Sequence, residues 1–300
     1  MPSVEQYLKP DVIRQISRLD LRAKFIVEGF LAGLHDSPYH GFSVEFSEHR
    51  RYTAGDDLRL IDWTVYGKTD KFYIKKFEAE TNLEAYLIVD MSESMAYSYS
   101  GAVTKLDYAI CLAASLAYMM INQQDSVGLV TFDTALRGYI PAKSRRSQLY
   151  KIHTQLTKTG TQGGTGLATA LHEAAGLIKR RGLIILFSDL LADTDPEPVY
   201  DAFHHLGFRG HDVVVFHILD EAEATFPFEG AVRFEDVETK ERILTDPLSI
   251  RAGYLAELAA FIEGYRTTCY RANIDYVQVD TSVTFDKALT SFLVARKSRF

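Results

Sequence analysis

The stretch that decides the fold of this chain is Tyr86-Leu87-Ile88-Val89-Asp90-Met91-Ser92-Glu93-Ser94. Its first four residues are apolar, and such a run is typical of a strand buried on both faces of a parallel sheet. Asp90, Ser92 and Ser94 alternate along the turn that ends the strand. One carboxylate and two hydroxyls can therefore face a common point beyond the carboxyl end of the strand, where open α/β sheets bind ligands. Hard oxygen donors of this kind favour Mg²⁺ or Mn²⁺.

The chain from residue 83 onward alternates between apolar strands and helices, which is the pattern of a doubly wound, mostly parallel sheet flanked by helices. We predict an α/β, Rossmann-like domain over residues 83–300, with a hairpin insertion at 229–245. The predicted strands cover residues 84–90, 126–132, 136–140, 183–188, 212–219 and 276–279, and the helices cover 103–122, 143–157, 166–180, 196–206, 248–270 and 284–296.

The first 82 residues have a different character. Apolar residues at helical spacing predict an amphipathic helix over residues 11–34, which must dock on another element. Residues 40–82 are rich in charge and glycine and contain short alternating segments, which indicates an irregular, β-rich extension. We therefore divide the chain into an N-terminal helix and extension (1–82) and the α/β domain (83–300).

Composition restricts the class of protein. The formal net charge of −7 argues against a nucleic-acid binder or a ligand of anionic membranes, because these need basic surfaces. The longest apolar run, Tyr108 to Ile121, is too short for a membrane span and predicts a buried helix. The first ten residues lack the apolar core of a secretory signal. Two distant cysteines, Cys111 and Cys269, fit a reducing cytoplasm.

Two further places supply hard oxygen ligands at the ends of elements. Thr165 follows Gly163 and Gly164 at the start of a predicted helix, and Asp189 follows an apolar strand, as Asp90 does. If both strands are central, the side chains that converge at one edge of the sheet are Asp90, Ser92, Ser94, Thr165 and Asp189. The alternative is local capping, in which Ser92 and Ser94 cap the following turn and Asp189 caps the helix at 196.

This ordered set of motifs resembles the metal-ion-dependent adhesion site of von Willebrand factor A domains. The resemblance covers roughly residues 80–300, and all five positions are intact. It implies that Ser92, Ser94 and Thr165 bind Mg²⁺ or Mn²⁺ directly, whereas Asp90 and Asp189 act mostly through bound water. It also implies that the cation takes one more acidic oxygen from a protein partner.

A second resemblance lies upstream. The segments His49-Arg50-Arg51-Tyr52, Gly55 to Trp63 and Lys75 to Glu80, placed before an A-type domain, look like the bacterial family called domain of unknown function 58. Members of that family typically accompany MoxR-type AAA+ ATPases and are thought to act as adaptors in maturing or activating other proteins. The resemblance therefore implies a MoxR-type partner.

The chemical role of Gly55 to Trp63 has two interpretations. Asp56, Asp57, Arg59 and Asp62 could form ion pairs that fasten the extension, with Trp63 as a buried anchor. Alternatively, Arg50, Arg51 and Arg59 could bind an acidic partner or a phosphate.

The sequence predicts an interaction module rather than an enzyme. The glycine-rich segment 160–166 lacks the lysine of a P-loop, and no Gly-x-Ser-x-Gly elbow is present to make Ser92 a nucleophile. The rival hypothesis is a Mg²⁺-dependent phosphoesterase that uses Asp90 and Asp189, with Glu93 as the nearest candidate base. A passive scaffold with a vestigial site is the third hypothesis.

Overall fold

The computed structural model describes residues 9–35, 49–51, 73–75, 84–99, 101, 103–158, 160–161, 163–191, 195–236 and 240–297. The chain divides into two compact units. One comprises Met1–Gly33 and Leu83–Phe300, and the other comprises Leu34–Asn82. The segment Gly55 to Trp63 and its predicted ion pairs lie outside the described residues.

The helices of the described residues are α1 Pro10–Arg14, α2 Leu19–His35, α3 Lys105–Asn122, α4 Ser147–Lys158, α5 Leu167–Leu177, α6 Glu197–Phe208, α7 Glu221–Thr225, α8 Pro247–Arg271 and α9 Phe285–Lys297. The strands are β1 His49–Arg51, β2 Tyr73–Lys75, β3 Glu84–Asp90, β4 Ser126–Phe132, β5 Leu136–Lys143, β6 Leu183–Ser188, β7 Asp212–Leu219, β8 Val232–Glu235, β9 Arg242–Thr245 and β10 Asp275–Asp280. A short 3₁₀ helix, Glu93–Ala96, follows β3.

The main sheet has six strands in the order β10-β7-β6-β3-β4-β5. All neighbouring pairs are parallel except β4 and β5, which are antiparallel. Ile88 of β3 lies opposite Val130 of β4 and Leu186 of β6, so β3 is central. The predicted fold class, a mostly parallel α/β sheet flanked by helices, is confirmed.

The core lies on both faces of the sheet because successive side chains of a strand point to opposite sides. Tyr86 and Ile88 belong to a buried apolar cluster that includes Leu171 of α5, Phe203 of α6 and Tyr265 of α8. On the other face, α3 contacts β3. Phe216 of β7 stacks there on Phe292 of α9, with 6.2 Å between the ring centroids.

The N-terminal helix differs from the prediction in two respects. It is broken, since α1 ends at Arg14 and α2 begins at Leu19. Arg22 of α2 donates hydrogen bonds to the carbonyls of Arg14 and Ile16, which satisfies backbone groups that the break leaves without helical partners. The second difference is that this segment lies in the unit of the main sheet, where Ile26 and Phe30 are buried.

The two units also contain short antiparallel strand pairs. In the smaller unit β1 pairs with β2, and Arg50 lies opposite Ile74. In the larger unit β8 and β9 form a hairpin within the segment 229–245, and Phe234 lies opposite Ile243. Cys111 and Cys269 are buried free thiols. Across the described ranges, no helix has both the length and the apolar character needed to cross a membrane.

Candidate functional site

The candidate site lies where the connections of the sheet change direction. Chain connections run outward to β4 and β5 on one side of β3 and to β6, β7 and β10 on the other. Open α/β sheets bind ligands beside the carboxyl ends of the strands at such a point. Asp90 ends β3, and Asp189 directly follows β6, so two carboxylates stand at this position.

Asp90 is completely buried. Its Oδ1 accepts a hydrogen bond from the backbone N–H of Ser92 at 3.0 Å, and its Oδ2 accepts one from the Ser188 hydroxyl at 2.6 Å. Burial raises the pKa of Asp90 to about 7, and the negative charge of Asp189 acts in the same direction. A cation beside the two carboxylates would stabilise their charged forms.

The two serines of the turn face each other. Ser92 and Ser94 are buried, and their hydroxyl oxygens lie 3.0 Å apart. The Ser92 side chain makes no capping hydrogen bond to the 3₁₀ helix that follows it. The capping interpretation therefore fails for Ser92, whose hydroxyl is directed to the second hydroxyl of the motif.

Thr165 is buried, and its hydroxyl has no hydrogen-bond partner among the described residues. It does not cap α5, because that helix begins at Leu167 with Gly166 as its N-cap residue. The loop is held beside the serine turn, since the N–H of Glu93 donates to the carbonyl of Gly163 at 3.0 Å. Leaving a buried hydroxyl without a partner costs about 1–3 kcal/mol.

Gly166 lets this loop approach the end of β4. Its N–H donates to the carbonyl of Asp133 at 2.7 Å. A Cβ atom at this position would lie 2.3 Å from the carbonyl oxygen of Thr134. Glycine is therefore required here for a close backbone contact rather than for a turn.

Asp189 does not cap the helix that follows it. The N–H of Glu197, at the start of α6, instead bonds to Asp195 at 3.0 Å. One Asp189 oxygen, Oδ1, accepts a hydrogen bond from the N–H of Leu191 at 3.1 Å, and the other faces Lys105. Leu190, between Asp189 and Leu191, has a positive φ of 57°, which is uncommon for a bulky residue.

Lys105 is a member of this region that sequence reasoning missed, as are Ser188 and Glu223. Its side chain has no solvent exposure, and its Nζ lies 2.8 Å from Asp189 and 2.7 Å from Glu223. Burial alone would lower the pKa of Lys105, but the charges of Asp189 and Glu223 raise it above its usual value. The available signal was a lysine at the start of an otherwise apolar helix.

Glu223 connects this lysine to α7. Its second carboxylate oxygen accepts the N–H of Asp220 at 2.7 Å, while Asp220 accepts the N–H of Ala222 at 2.9 Å. This reciprocal capping box fixes the start of the short helix. Lys105 thus joins Asp189, at the end of β6, to a helix that follows β7.

The donor chemistry fits a hard divalent cation. The hydroxyls of Ser92, Ser94 and Thr165 and the carboxylates of Asp90 and Asp189 are all oxygen donors, which Mg²⁺ and Mn²⁺ prefer. The structure brings Asp90, Ser92 and Ser94 into contact and attaches the Thr165 loop to the same turn. Asp189 lies close enough to Asp90 to influence its pKa.

Comparison with known proteins gives one family match and several uncharacterised relatives. The family described as "Protein of unknown function DUF58" matches residues 48–261, which include all five candidate ligands. The "Uncharacterized protein Rv1480" of Mycobacterium tuberculosis (strain ATCC 25618 / H37Rv) is 28% identical over 233 residues, covering 77% of this chain and 72% of that protein. An uncharacterised protein of Mycobacterium bovis, Mb1516, matches to the same extent.

Solved structures with a similar chain trace include the conserved hypothetical protein BatB from Bacteroides thetaiotaomicron. It is 19% identical, with a TM-score of 0.48, and the match covers 72% of this chain and 99% of that chain. The SpRpn10 VWA domain is 11% identical, with a TM-score of 0.42 and coverage of 69% and 93%.

Proposed function

The chain belongs to the DUF58 family of proteins of unknown function, and from this premise we propose that it is a metal-dependent protein-interaction module. In this proposal Asp90, Ser92, Ser94, Thr165 and Asp189 hold Mg²⁺ or Mn²⁺. A partner protein then binds through an acidic residue that reaches the cation. The module is not an enzyme.

The observation that carries this proposal is the buried Thr165 hydroxyl without a partner, held beside the contacting Asp90, Ser92 and Ser94. A purely structural threonine at a buried position would be expected to find a hydrogen-bond partner. A cation would give the hydroxyl its missing interaction. When bound by two carboxylates and neutral hydroxyls, a divalent cation supplies an electron-poor centre that attracts a further anionic oxygen.

The phosphoesterase alternative gains no support from the surroundings of the site. Glu93, the nearest candidate base, lies 3.4 Å from the ammonium group of Lys240 in a partly exposed ion pair. Glu93 therefore already has a structural partner, and no nucleophile is paired with it among the described residues.

Metal binding is tested by replacing Thr165 with valine, which has nearly the same shape but no hydroxyl. We expect Thr165→Val to weaken Mn²⁺ binding at least about tenfold, the loss of one ligand worth about 1.4 kcal/mol or more. The melting temperature in EDTA should stay the same or rise, because an unsatisfied buried hydroxyl is removed. Calorimetric titration and thermal unfolding measure the two quantities. Equal Mn²⁺ affinity for wild type and variant would refute the proposed ligand set.

We further propose that the partner is a MoxR-type AAA+ ATPase and that the module serves as its adaptor, in the cytoplasm, in maturing or activating other proteins. This partner class is supported by the family resemblance of the segments around Gly55 to Trp63. The test is binding of the purified ATPase from the same genome to wild-type chain and to Asp90→Asn, each with Mg²⁺ and with EDTA. We expect the ATPase to be retained only by wild-type chain, and only in the presence of Mg²⁺. Equal retention in all four conditions would place the interface elsewhere.

A further inference from the structure

An apolar groove of about 340 Å³ opens beside the β8–β9 hairpin. Its walls are mainly aromatic and aliphatic, and they include Phe226, Phe228, Phe234, Ile243, Ile250 and Tyr254. The hairpin supplies one wall, and the end of α7 and the start of α8 border the others. We call this feature the hairpin groove.

The aromatic wall of the hairpin groove is well packed. The ring centroids of Phe226 and Tyr254 lie 4.5 Å apart, and those of Phe228 and Phe234 lie 5.1 Å apart. Phe226 itself ends α7 with a positive φ of 49°, a conformation that bulky residues rarely adopt. Ordered rings of this kind form a preshaped surface, because they lose little conformational freedom when another group covers them.

The rim of the hairpin groove is apolar and exposed. Ile243 is 65% exposed and Ile250 is 39% exposed, although both line the groove. Two ion pairs lie at the hairpin, since Arg242 contacts Glu235 at 2.7 Å and Lys240 contacts Glu93 at 3.4 Å. The exposed isoleucines of the rim favour an apolar group.

Two residues that line the hairpin groove connect it to the candidate metal site. Tyr97 lines the groove, and its N–H donates to the carbonyl of Ser94 at 3.1 Å. Glu223 also lines the groove and contacts Lys105, which contacts Asp189. One 3₁₀ turn separates Ser94 from Tyr97, which corresponds to about 6 Å at a rise of about 2 Å per residue.

We propose that the hairpin groove binds a bulky apolar side chain from the same partner segment whose acidic residue reaches the metal. The occupant is an extended stretch with a Glu or Asp and a Leu, Ile or Phe two or three residues apart. An extended chain advances about 3.3 Å per residue, so this spacing spans about 7–10 Å, which is enough to pass the turn of about 6 Å between Ser94 and Tyr97. The inference rests on the proposed function and adds to it a second recognition element.

The test uses short peptides displayed on beads, each with a central glutamate and one leucine or phenylalanine placed at successive positions among serines and glycines. Labelled full-length chain is applied with millimolar Mg²⁺. The variants are Ile243→Lys and the matched control Leu244→Lys. Leu244 is 74% exposed on the same strand, is adjacent to Ile243, and points to the opposite face of the hairpin.

We expect wild type to select peptides whose apolar residue is two or three positions from the glutamate. Ile243→Lys should reduce their capture at least about tenfold, because the new ammonium group would have to be desolvated beside the bound side chain. Leu244→Lys should retain it. The inference is overturned if peptide capture by wild type does not depend on the apolar residue, or if Ile243→Lys captures the peptides as well as wild type does. It is also overturned if wild type is a dimer that Ile243→Lys dissociates, because a second copy would then occupy the groove.

The proposed function fails in a different way in the same experiment. If EDTA or Asp90→Asn leaves the preference for the glutamate unchanged, the metal-bridged contact is wrong. In that case the effect of the apolar residue's position on peptide capture, and the effect of Ile243→Lys, still test the hairpin groove by itself.

Discussion

At the scale of single residues, Lys105 is a fully buried charge with two carboxylate partners. Its ammonium group is buried between Asp189 and Glu223. Removing one partner from a buried ion pair typically costs about 3–5 kcal/mol, because the remaining charge is left uncompensated. The same lysine connects a candidate metal ligand to α7.

We therefore expect Lys105→Met to lower the free energy of unfolding by about 3–5 kcal/mol, as measured by urea denaturation in EDTA. Adding Asp189→Asn and Glu223→Gln to this variant removes the unpaired charges and should recover much of the loss. Urea midpoints within error for wild type and Lys105→Met would show that the buried ion pairs do not contribute in this way.

His217 gives a prediction on pH. Its side chain is buried in β7, and burial lowers its pKa to about 4. An unfolded histidine titrates near pH 6.5, so below that pH the unfolded chain binds a proton that the folded chain resists. The contribution of His217 to stability is therefore complete above pH 6.5 and is lost as the pH falls toward 4.

We expect His217→Gln to reduce the loss of unfolding free energy between pH 7 and pH 4 by on the order of 3 kcal/mol. Urea denaturation across this range measures it. The matched control is His204→Gln at an exposed position of α6. Parallel pH profiles for wild type and His217→Gln would contradict the prediction.

At the scale of elements, the loop before α5 carries Thr165 to the serine turn, and Gly166 sets its approach. Gly166→Ala places a methyl group against the carbonyl of Thr134, so the loop must move. We expect a loss of about 1–3 kcal/mol in stability and weaker Mn²⁺ binding. Gly160→Ala in the same loop is the control, because a Cβ there meets nothing within 4 Å. If both variants bound Mn²⁺ with equal affinity, the position of this loop would not matter for metal binding.

Elements were also what the sequence predicted best. Apolar runs such as Leu183–Ser188 are short and lie between polar or glycine residues, which is typical of buried strands. Because parallel strands end at the same edge of the sheet, Asp90 and Asp189 were expected to lie together. The contact between Lys105 and Asp189 joins residues 84 positions apart and leaves no periodic signal. Arg22 donates hydrogen bonds across the break between α1 and α2, and the hairpin groove is formed by residues from separate elements, so neither feature has a local signal in the sequence.

At the scale of the whole molecule, the compact unit of the main sheet includes residues that precede the smaller unit in sequence. The N-terminal segment contributes Ile13, Ala23, Ile26, Val27 and Phe30 to the buried residues. Arg14 also donates to the carbonyl of Gly101 at 2.9 Å, which joins α1 to the chain before α3. The chain thus leaves the larger unit at Gly33 and returns to it at Leu83.

This arrangement predicts that the N-terminal helix stabilises the sheet. Phe30 is 2% exposed and Phe25, on the same helix, is 42% exposed. We expect Phe30→Ala to lower the free energy of unfolding of the larger unit by about 3–5 kcal/mol and Phe25→Ala to change it by much less. Circular dichroism during urea denaturation follows the sheet and its helices together. A separate early transition in Phe30→Ala, with the main transition unmoved, would mean that the N-terminal helix folds apart from the sheet.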